Sequence, residues 1–200
     1  MLHGSSKHSR LLSALVLIGA LLLAPPPASA EQGFPTVEKV LNLFSVWTGK
    51  KRNEAIYDEA AEYIDYGAMA ERALGSTWES LNEKQRKEFV VMLRRLIEER
   101  YYPRWHKIFS KGKVKLIKEV PARDELFVNT ELVVGKKRDK LIWHMARAGG
   151  GLKIISLAVD DKDLLTRLGL RLKKQIKKEG FEKLLDWMKD ESDLDEDDEA

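Results

Sequence analysis

The sequence contains no cysteine and few histidines, and these shortages exclude several kinds of site. Without cysteine the protein has no disulfides, no thiolate nucleophile and no cysteine-ligated metal, so its stability must come from an apolar core. Two of its four histidines, His3 and His8, lie near the N-terminus, ahead of a long apolar stretch. The other two, His106 and His144, are too few for a zinc site, and we predict no metal and no cofactor.

The sequence also lacks a motif that would mark a catalytic centre. Ser110 and Ser156 are not part of a G-x-S-x-G turn and have no paired base. Binding is therefore favoured over catalysis, and we predict that the protein is not an enzyme. One alternative stays open, a small isomerase or hydrolase in which Asp160 or Asp161 acts as the base. Capping of the following helix is the simpler interpretation of these aspartates.

A run of apolar residues long enough to span a membrane is missing too. The longest apolar stretch, residues 11–24, is shorter than the roughly 20 residues that a spanning helix needs. It follows two basic residues and precedes Ala28-Ser29-Ala30, which fits the small-residue positions of a signal-peptidase site. We predict that residues 1–30 are a signal peptide, that the mature chain begins at Glu31, and that the protein is exported.

Acidic residues are relatively scarce in the body of the chain and concentrated at its end. Residues 190–200 contain eight acidic and no basic side chains, whereas residues 31–189 contain 33 basic and 24 acidic ones. A block of like charges stays solvated, so we predict a disordered acidic tail over residues 190–200 and a single domain over residues 31–189. In an exported protein the basic body suits anionic membrane headgroups. A basic surface that is simply balanced by the tail is the alternative.

Aromatic residues occur at packing positions rather than along a basic groove. Trp47, Phe89, Phe127 and Trp143 all follow helical or strand periods, which is typical of a core. A site for single-stranded nucleic acid would instead combine stacked aromatics with a basic groove. We therefore expect no nucleic-acid partner.

Helical periodicity occupies both ends of the predicted domain. Helices are expected from Pro35 to about Gly49, from Asn53, from Asp65 to Gly75, and, after the strands, on either side of Gly180. The longest helix starts at Asn82, with Gln85 as its capping-box partner. It should end near Tyr102, because Pro103 cannot donate to the helix ladder. Its apolar face consists of Phe89, Met92, Leu93, Leu96 and Ile97.

Between the helical regions the apolar period changes to two, which predicts four antiparallel strands joined by short turns. The turns are expected at residues 121–124, 135–139 and 149–151. The first strand should place Val114, Leu116, Lys118 and Val120 on one face, and the apolar face of the other strands includes Val128, Leu132, Leu141, Trp143, Met145 and Ile154. The fold class is therefore α+β, with helices packed on one face of a four-stranded antiparallel sheet.

The segment around the long helix resembles a known family. The residues that carry the resemblance are Asp65-Tyr66, Met69-Ala70, Ala73-Leu74-Gly75, Trp78, Leu81, Gln85-Arg86, Phe89, Leu96 and Tyr101. Their order and spacing are similar to those of the toluene-tolerance or MlaC family of periplasmic lipid carriers, and weaker similarity continues to about Met188. The resemblance implies a curved sheet related to nuclear transport factor 2-like folds, with an internal apolar cavity for lipid between the sheet and the helices.

The resemblance also implies a function and partners. The chain is expected to be a soluble periplasmic monomer that shuttles phospholipid between an outer-membrane lipoprotein complex and an inner-membrane ABC transporter complex. The lipid would contact Phe89, Met92, Leu93, Leu96, Ile97, Val128, Leu132, Leu141, Trp143, Met145 and Ile154. Departures from the family pattern at Ser156, Asp161 and Gly169 leave another lipid, such as a hopanoid, open as the ligand.

Overall fold

The computed structural model describes residues 32–48 and 52–193. The predicted signal peptide and the last seven residues of the predicted tail lie outside the described residues. Within them the elements are α1 (Phe34–Val46), α2 (Glu54–Glu62), α3 (Tyr66–Leu74), α4 (Ser76–Ser80), α5 (Glu83–Arg100), α6 (Tyr102–Phe109), β1 (Lys113–Ala122), β2 (Glu125–Val134), β3 (Lys137–Ala148), β4 (Gly151–Val159), β5 (Lys162–Asp163), α7 (Leu164–Glu179) and α8 (Phe181–Asp193). The α+β class is confirmed.

Local sequence signals fix where most helices begin and end. The predicted capping box of α5 is confirmed, with Asn82 Oδ1 accepting from Gln85 N at 2.9 Å and Gln85 Oε1 accepting from Asn82 N at 3.1 Å. The predicted break at Pro103 is also confirmed. Helix α5 ends at Arg100 and the proline occupies the first turn of α6, where its missing N–H costs no helical bond. The short helix α4 stands where the sequence predicted only a turn.

The sheet has five antiparallel strands in the order β1-β2-β3-β4-β5, so the prediction of four was wrong by one. Strand β5 is only two residues long and pairs with Ala158 and Val159 of β4. A strand of this length is too short to show a period-two pattern in the sequence. The first two turns are also tighter than predicted, since the strands pair up to Ala122 with Glu125 and Val134 with Lys137. The charged residues that follow position 136 belong to β3 rather than to a loop.

Strand β1 differs from its predicted alternation because of a β-bulge between Leu116 and Lys118. Beyond the bulge the faces exchange, and Glu119 rather than Lys118 shares a face with Val128. The carboxylate of Glu119 accepts from the N–H groups of Gly33 and Phe34, at 3.1 and 2.8 Å. Strict alternation of apolar and polar residues does not predict an inserted residue, so the predicted apolar face of β1 was wrong.

Helices α1 and α6 contact the inner face of the sheet, while α3 and α7 pack against β4. A Cβ built on Gly33, just before α1, would lie 2.7 Å from both Met145 Sδ and Val128 Cγ2. Phe109 of α6 stacks 5.9 Å from the ring of Trp143, whose indole N–H donates to the buried Thr130 hydroxyl at 3.0 Å. These contacts place the main core between the sheet and the two helices.

Helix α5 does not have the sheet as its main partner. It packs chiefly against α8, α3 and α6. Its Phe89 ring lies 6.3 Å from that of Phe181 in α8. The apolar face of α5 and the apolar face of the sheet, both predicted to contact lipid, therefore pack mostly against other elements. Periodicity shows that a face is buried but not which element buries it.

A buried carboxylate joins α5 to the helices before it. The side chain of Glu98 is 3% exposed and lies 2.8 Å from Arg52 Nη2, and it also accepts from Arg94. The same Arg94 reaches Asp58 in α2 at 2.8 Å. Beside this group the hydroxyls of Tyr66 and Tyr102 share a buried hydrogen bond of 2.6 Å.

Helix α8 extends four residues beyond the predicted end of the domain at residue 189, to Asp193. Glu191 contacts two arginines there, with its carboxylate 3.7 Å from Arg100 Nη1 and 3.3 Å from Arg171 Nη2. The first part of the predicted acidic tail is thus helical and makes contacts. No helix in residues 32–48 and 52–193 has both the length and the apolar character needed to cross a bilayer.

Gly169 allows α7 to approach α3 closely, and this position provides a test of the packing. A Cβ on Gly169 would lie 2.6 Å from the carbonyl oxygen of Ala73, which belongs to the backbone and cannot rotate away. We expect Gly169→Ala to lower the free energy of unfolding by about 1–3 kcal/mol, even though alanine is the better helix former. Thermal and urea melts of both proteins measure the change.

Gly67→Ala in α3 is the matched control for this prediction. Its new Cβ would meet only the Asp65 carboxylate, at 3.3 Å. This variant should be as stable as the wild type or slightly more so. A Gly169→Ala protein that melts at or above the wild-type temperature would contradict the close approach of α3 and α7.

Candidate functional site

An apolar pocket lies between β4 and the helices α3, α5, α6 and α7. Its empty volume is about 470 Å³, a figure that includes the part open to solvent. The lining residues are Ile64, Met69, Ile97, Tyr101, Trp105, Ile154, Ser156, Leu157, Leu164, Leu165 and Leu168. Nearly all of this surface is hydrocarbon, so the pocket suits an apolar ligand.

The start of α7 builds one wall of the pocket. Asp163 caps this helix by accepting from Thr166 N at 2.6 Å, so the expectation that Asp160 or Asp161 is the cap was wrong. The cap fixes the start of α7, and Leu164, Leu165 and Leu168 in its first two turns line the pocket, since residues three and four apart share a helix face.

The break between α5 and α6 builds the opposite wall and the mouth. Trp105 N donates to the carbonyl of Tyr101 at 2.8 Å, so the two aromatic side chains are one helical turn apart. Tyr101, Trp105 and Leu164 are half-buried, whereas the other lining residues are buried. The mouth is therefore at the junction of α5 and α6, facing the first turn of α7.

Ser156 and Tyr101 supply the hydroxyl groups of the lining, and no carboxylate, imidazole or amine lines the pocket. The Ser156 hydroxyl donates to Asp163 Oδ2 at 2.7 Å, which leaves it committed to the helix cap. Among the described residues, no three histidine, aspartate or glutamate side chains are grouped as metal ligands. The pocket therefore offers apolar contact and hydrogen bonding rather than acid–base chemistry.

The aspartates proposed as an alternative base lie outside the pocket. Asp160 and Asp161 form the turn between β4 and β5, with φ angles of 47° and 63°. Asp160 accepts from the backbone N–H of Lys140 at 3.0 Å, and Asp161 pairs with its ammonium group at 2.7 Å. Their role in this structure is to hold a left-handed turn against β3.

A polar cluster lies behind the pocket wall. His144 Nδ1 is 3.8 Å from Asp163 Oδ2 and 3.3 Å from Arg72 Nη2. Burial lowers the pKa of His144, and Arg72 adds to this while Asp163 opposes it. Burial alone would raise the pKa of Asp163, but hydrogen bonds from Ser156 and Thr166 outweigh it and hold that pKa below its ordinary value.

Two of the residues predicted to bind lipid, Ile97 and Ile154, line the pocket. Met92 lies instead in a groove between α5 and α8 with Val91 and Leu185. The other predicted residues are buried in the core, namely Phe89, Leu93, Leu96, Val128, Leu132, Leu141, Trp143 and Met145. Eight further lining residues were not predicted as lipid contacts, namely Ile64, Met69, Tyr101, Trp105, Leu157, Leu164, Leu165 and Leu168.

Signals for some of the missed residues were present. Met69 and Tyr101 belong to the family-like pattern, and Leu164, Leu165 and Leu168 recur at helical spacing. The helix break that sets Trp105 beside Tyr101 was predicted as well. No sequence pattern showed that these helix faces border one pocket next to β4.

Comparisons with known proteins agree with the resemblance seen in the sequence. The family model described as MlaC protein matches residues 46–190. Among solved structures, a phospholipid-binding protein from Ralstonia solanacearum, determined in complex with a phospholipid, superposes with a TM-score of 0.68 at 14% sequence identity. The match covers 80% of this chain and 93% of that one. A search of curated proteins gave no match.

The pKa of His144 predicts how stability depends on pH. The unfolded chain takes up a proton near the ordinary value of 6.5, whereas the folded chain resists it because the imidazole is buried. The free energy of unfolding should therefore fall as the pH drops below about 6.5. We expect the free energy of unfolding of His144→Gln, measured by urea melts, to fall less than that of the wild type between roughly pH 7.5 and pH 5, a range that spans the ordinary pKa of histidine. Identical losses in the two proteins would contradict this assignment.

Proposed function

The chain belongs to the MlaC family, and from this membership we propose that it binds a phospholipid and carries it across the periplasm. The observation that supports the proposal most directly is the apolar pocket with its mouth at Tyr101, Trp105 and Leu164. The similar structure from Ralstonia solanacearum, which holds a phospholipid, supports the same ligand class. The absence of ionisable groups other than the tyrosine hydroxyl from the lining favours binding over catalysis.

The physical requirement for a carrier is a dry environment for the acyl chains. Two chains contain about 30 methylenes, and exposing them to water would cost more than about 20 kcal/mol at about 0.8 kcal/mol for each methylene. A pocket lined by leucine, isoleucine and aromatic side chains largely replaces the bilayer interior. Transfer is then nearly neutral in free energy, and its direction has to come from the partners.

The pocket has to widen to hold a complete lipid. A methylene occupies roughly the volume of a water molecule, about 30 Å³, so two chains need about 900 Å³. The empty volume here is about 470 Å³ even with the space open to solvent included, and the space that the centre of a water molecule can enter is only about 30 Å³. We therefore propose that the walls separate when lipid enters, so that the chains reach Trp143 and Met145, which pair across the sheet with Leu157 and Ile154. The other core residues predicted as lipid contacts would be exposed in the same way.

The transport route follows from the family rather than from the pocket. We propose that residues 1–30 direct export and that the mature protein is a periplasmic monomer. It would exchange phospholipid between an inner-membrane ABC transporter complex and an outer-membrane lipoprotein complex. A hydrocarbon lining does not distinguish the apolar parts of different lipids. A hopanoid-type lipid is therefore the second ligand to compare with phospholipid.

Leu164→Asp tests the pocket without disturbing the core. An aspartate in the first turn of α7 is compatible with the helix dipole, so the variant should fold. Its carboxylate would stand at the mouth and oppose the entry of acyl chains. We expect the protein, purified from the periplasm, to carry at least about tenfold less lipid than the wild type, since burying an unpaired charge costs well over 1.4 kcal/mol. Mass spectrometry of extracted lipids and a circular-dichroism melt measure the two effects.

Leu170→Asp is the matched control, because Leu170 is 65% exposed on the same helix and does not line the pocket. It should keep its lipid. Leu141→Asp gives the opposite comparison, since Leu141 is buried and its replacement should unfold the domain. A wild-type protein that co-purifies with no lipid and takes none from vesicles would overturn the proposed function.

A further inference from the structure

Helix α7 has two chemically different faces. Leu165, Leu168 and Leu172 are buried against the rest of the protein. The opposite face is exposed and carries six basic side chains, namely Arg167, Arg171, Lys173, Lys174, Lys177 and Lys178. The only acidic residue in the sequence of this helix is its last one, Glu179. The exposed face of α7 is therefore strongly positive.

Four of these six cations have no carboxylate partner among the described residues. Arg171 lies 3.3 Å from the carboxylate of Glu191 in α8, and Lys178 lies 2.6 Å from that of Glu179. The cations that form no ion pair within the described part of the chain are Arg167, Lys173, Lys174 and Lys177. Their charge is thus available to a partner outside the chain.

An exposed leucine lies among these four cations. Leu170 is 65% exposed, whereas the leucines on the opposite face of α7 are at most 5% exposed. Residues three and four apart are neighbours on a helix surface, so Arg167, Lys173 and Lys174 surround Leu170. Single exposed leucines are common on protein surfaces, but this one shares its face with unpaired cations. Together with Lys177 we call these residues the α7 stripe.

The α7 stripe begins next to the mouth of the pocket. Leu164, which forms part of the mouth, lies one helical turn before Arg167. Leu165 and Leu168, on the inward face, line the pocket itself. One helix therefore borders the pocket and carries the stripe, so a surface bound along the stripe would lie beside the mouth.

The stripe matches the chemistry of an anionic lipid bilayer. Anionic headgroups attract clustered lysines and arginines through a diffuse field, and the headgroup region also accepts an apolar side chain. Three of the four unpaired cations are lysines, which act as point charges and lack the planar fork with which arginine pairs to a carboxylate. An acidic protein surface would need a matching apolar recess for Leu170, whereas a bilayer accepts this side chain anywhere. The combination therefore favours a bilayer.

We propose that the α7 stripe docks the protein on an anionic bilayer, with Leu170 entering the headgroup region and the cations facing lipid phosphates. The inference rests on the proposed function and adds the step that brings the pocket mouth to a membrane. Docking raises the rate at which the mouth meets lipid and leaves the affinity of the pocket unchanged. Variants of the stripe should therefore retain bound lipid, as expected above for Leu170→Asp.

The test measures binding of the predicted mature chain, residues 31–200, to vesicles by co-sedimentation. One set of vesicles contains phosphatidylcholine with roughly 30% phosphatidylglycerol, and the other contains phosphatidylcholine alone. The wild type should bind the anionic vesicles at least about tenfold more tightly, and less tightly as salt is added. A cation near an anionic surface strengthens binding about fivefold, so the triple variant Arg167→Gln, Lys174→Gln, Lys177→Gln should bind them about 100-fold more weakly.

Two further variants separate the stripe from net charge. Leu170→Gln removes the apolar contact without changing the charge and should bind about tenfold more weakly. The triple variant Lys113→Gln, Lys115→Gln, Lys118→Gln removes the same charge from exposed lysines of β1 and should bind nearly as tightly as the wild type. Thermal melts and lipid content should match the wild type for all the variants, since every replaced side chain is exposed.

Each other result overturns a stated part. Equal losses in the two triple variants would show that net charge alone binds the vesicles, which overturns the stripe. A wild type that carries phospholipid but binds no anionic vesicle overturns docking and leaves the proposed function in place; this is the result expected if the stripe binds an acidic protein instead. A wild type that carries no lipid and takes none from vesicles overturns both. Binding that appears only when residues 194–200 are removed would show that the chain's own acidic end covers the stripe, and docking by this surface is then wrong too.

Discussion

The buried carboxylate of Glu98 is the constraint on which the helical half of the structure depends. An unpaired charge at this depth would cost several kcal/mol, so Arg52 and Arg94 must be in place when α5 packs. Through Arg94 the group also holds α2, and beside it the Tyr66 hydroxyl binds that of Tyr102 at the start of α6. Buried ion pairs often add little stability, but this one fixes geometry. It holds α5 against Arg52 and α2, while the break at Pro103 sets where α5 ends.

Local chemistry made much of the fold predictable. The capping box at Asn82, the helix break at Pro103 and the family-like pattern were all read correctly, because each depends on neighbours in the sequence. The errors came where a non-local contact decides the outcome. Strand β5 exists because it pairs with β4, and the bulge in β1 brings Glu119 to the first N–H groups of α1.

The candidate site was harder to predict than the fold for the same reason. Periodicity identified the side chains of Ile97 and Ile154 as buried, and they are. It could not show that α5 packs chiefly on α8, or that α3, α6 and α7 leave a gap beside β4. A pocket forms where buried apolar faces do not pack against one another. Whether this happens depends on the arrangement of all the helices.

The contact between Glu119 and the start of α1 bears on the order of events during maturation. If residues 1–30 are removed as predicted, only two residues separate the new N-terminus from Gly33, whose N–H is held by the sheet at 3.1 Å. A peptidase needs its substrate in an extended form, and a folded domain would keep that segment against Val128 and Met145. Cleavage would then have to precede the docking of α1.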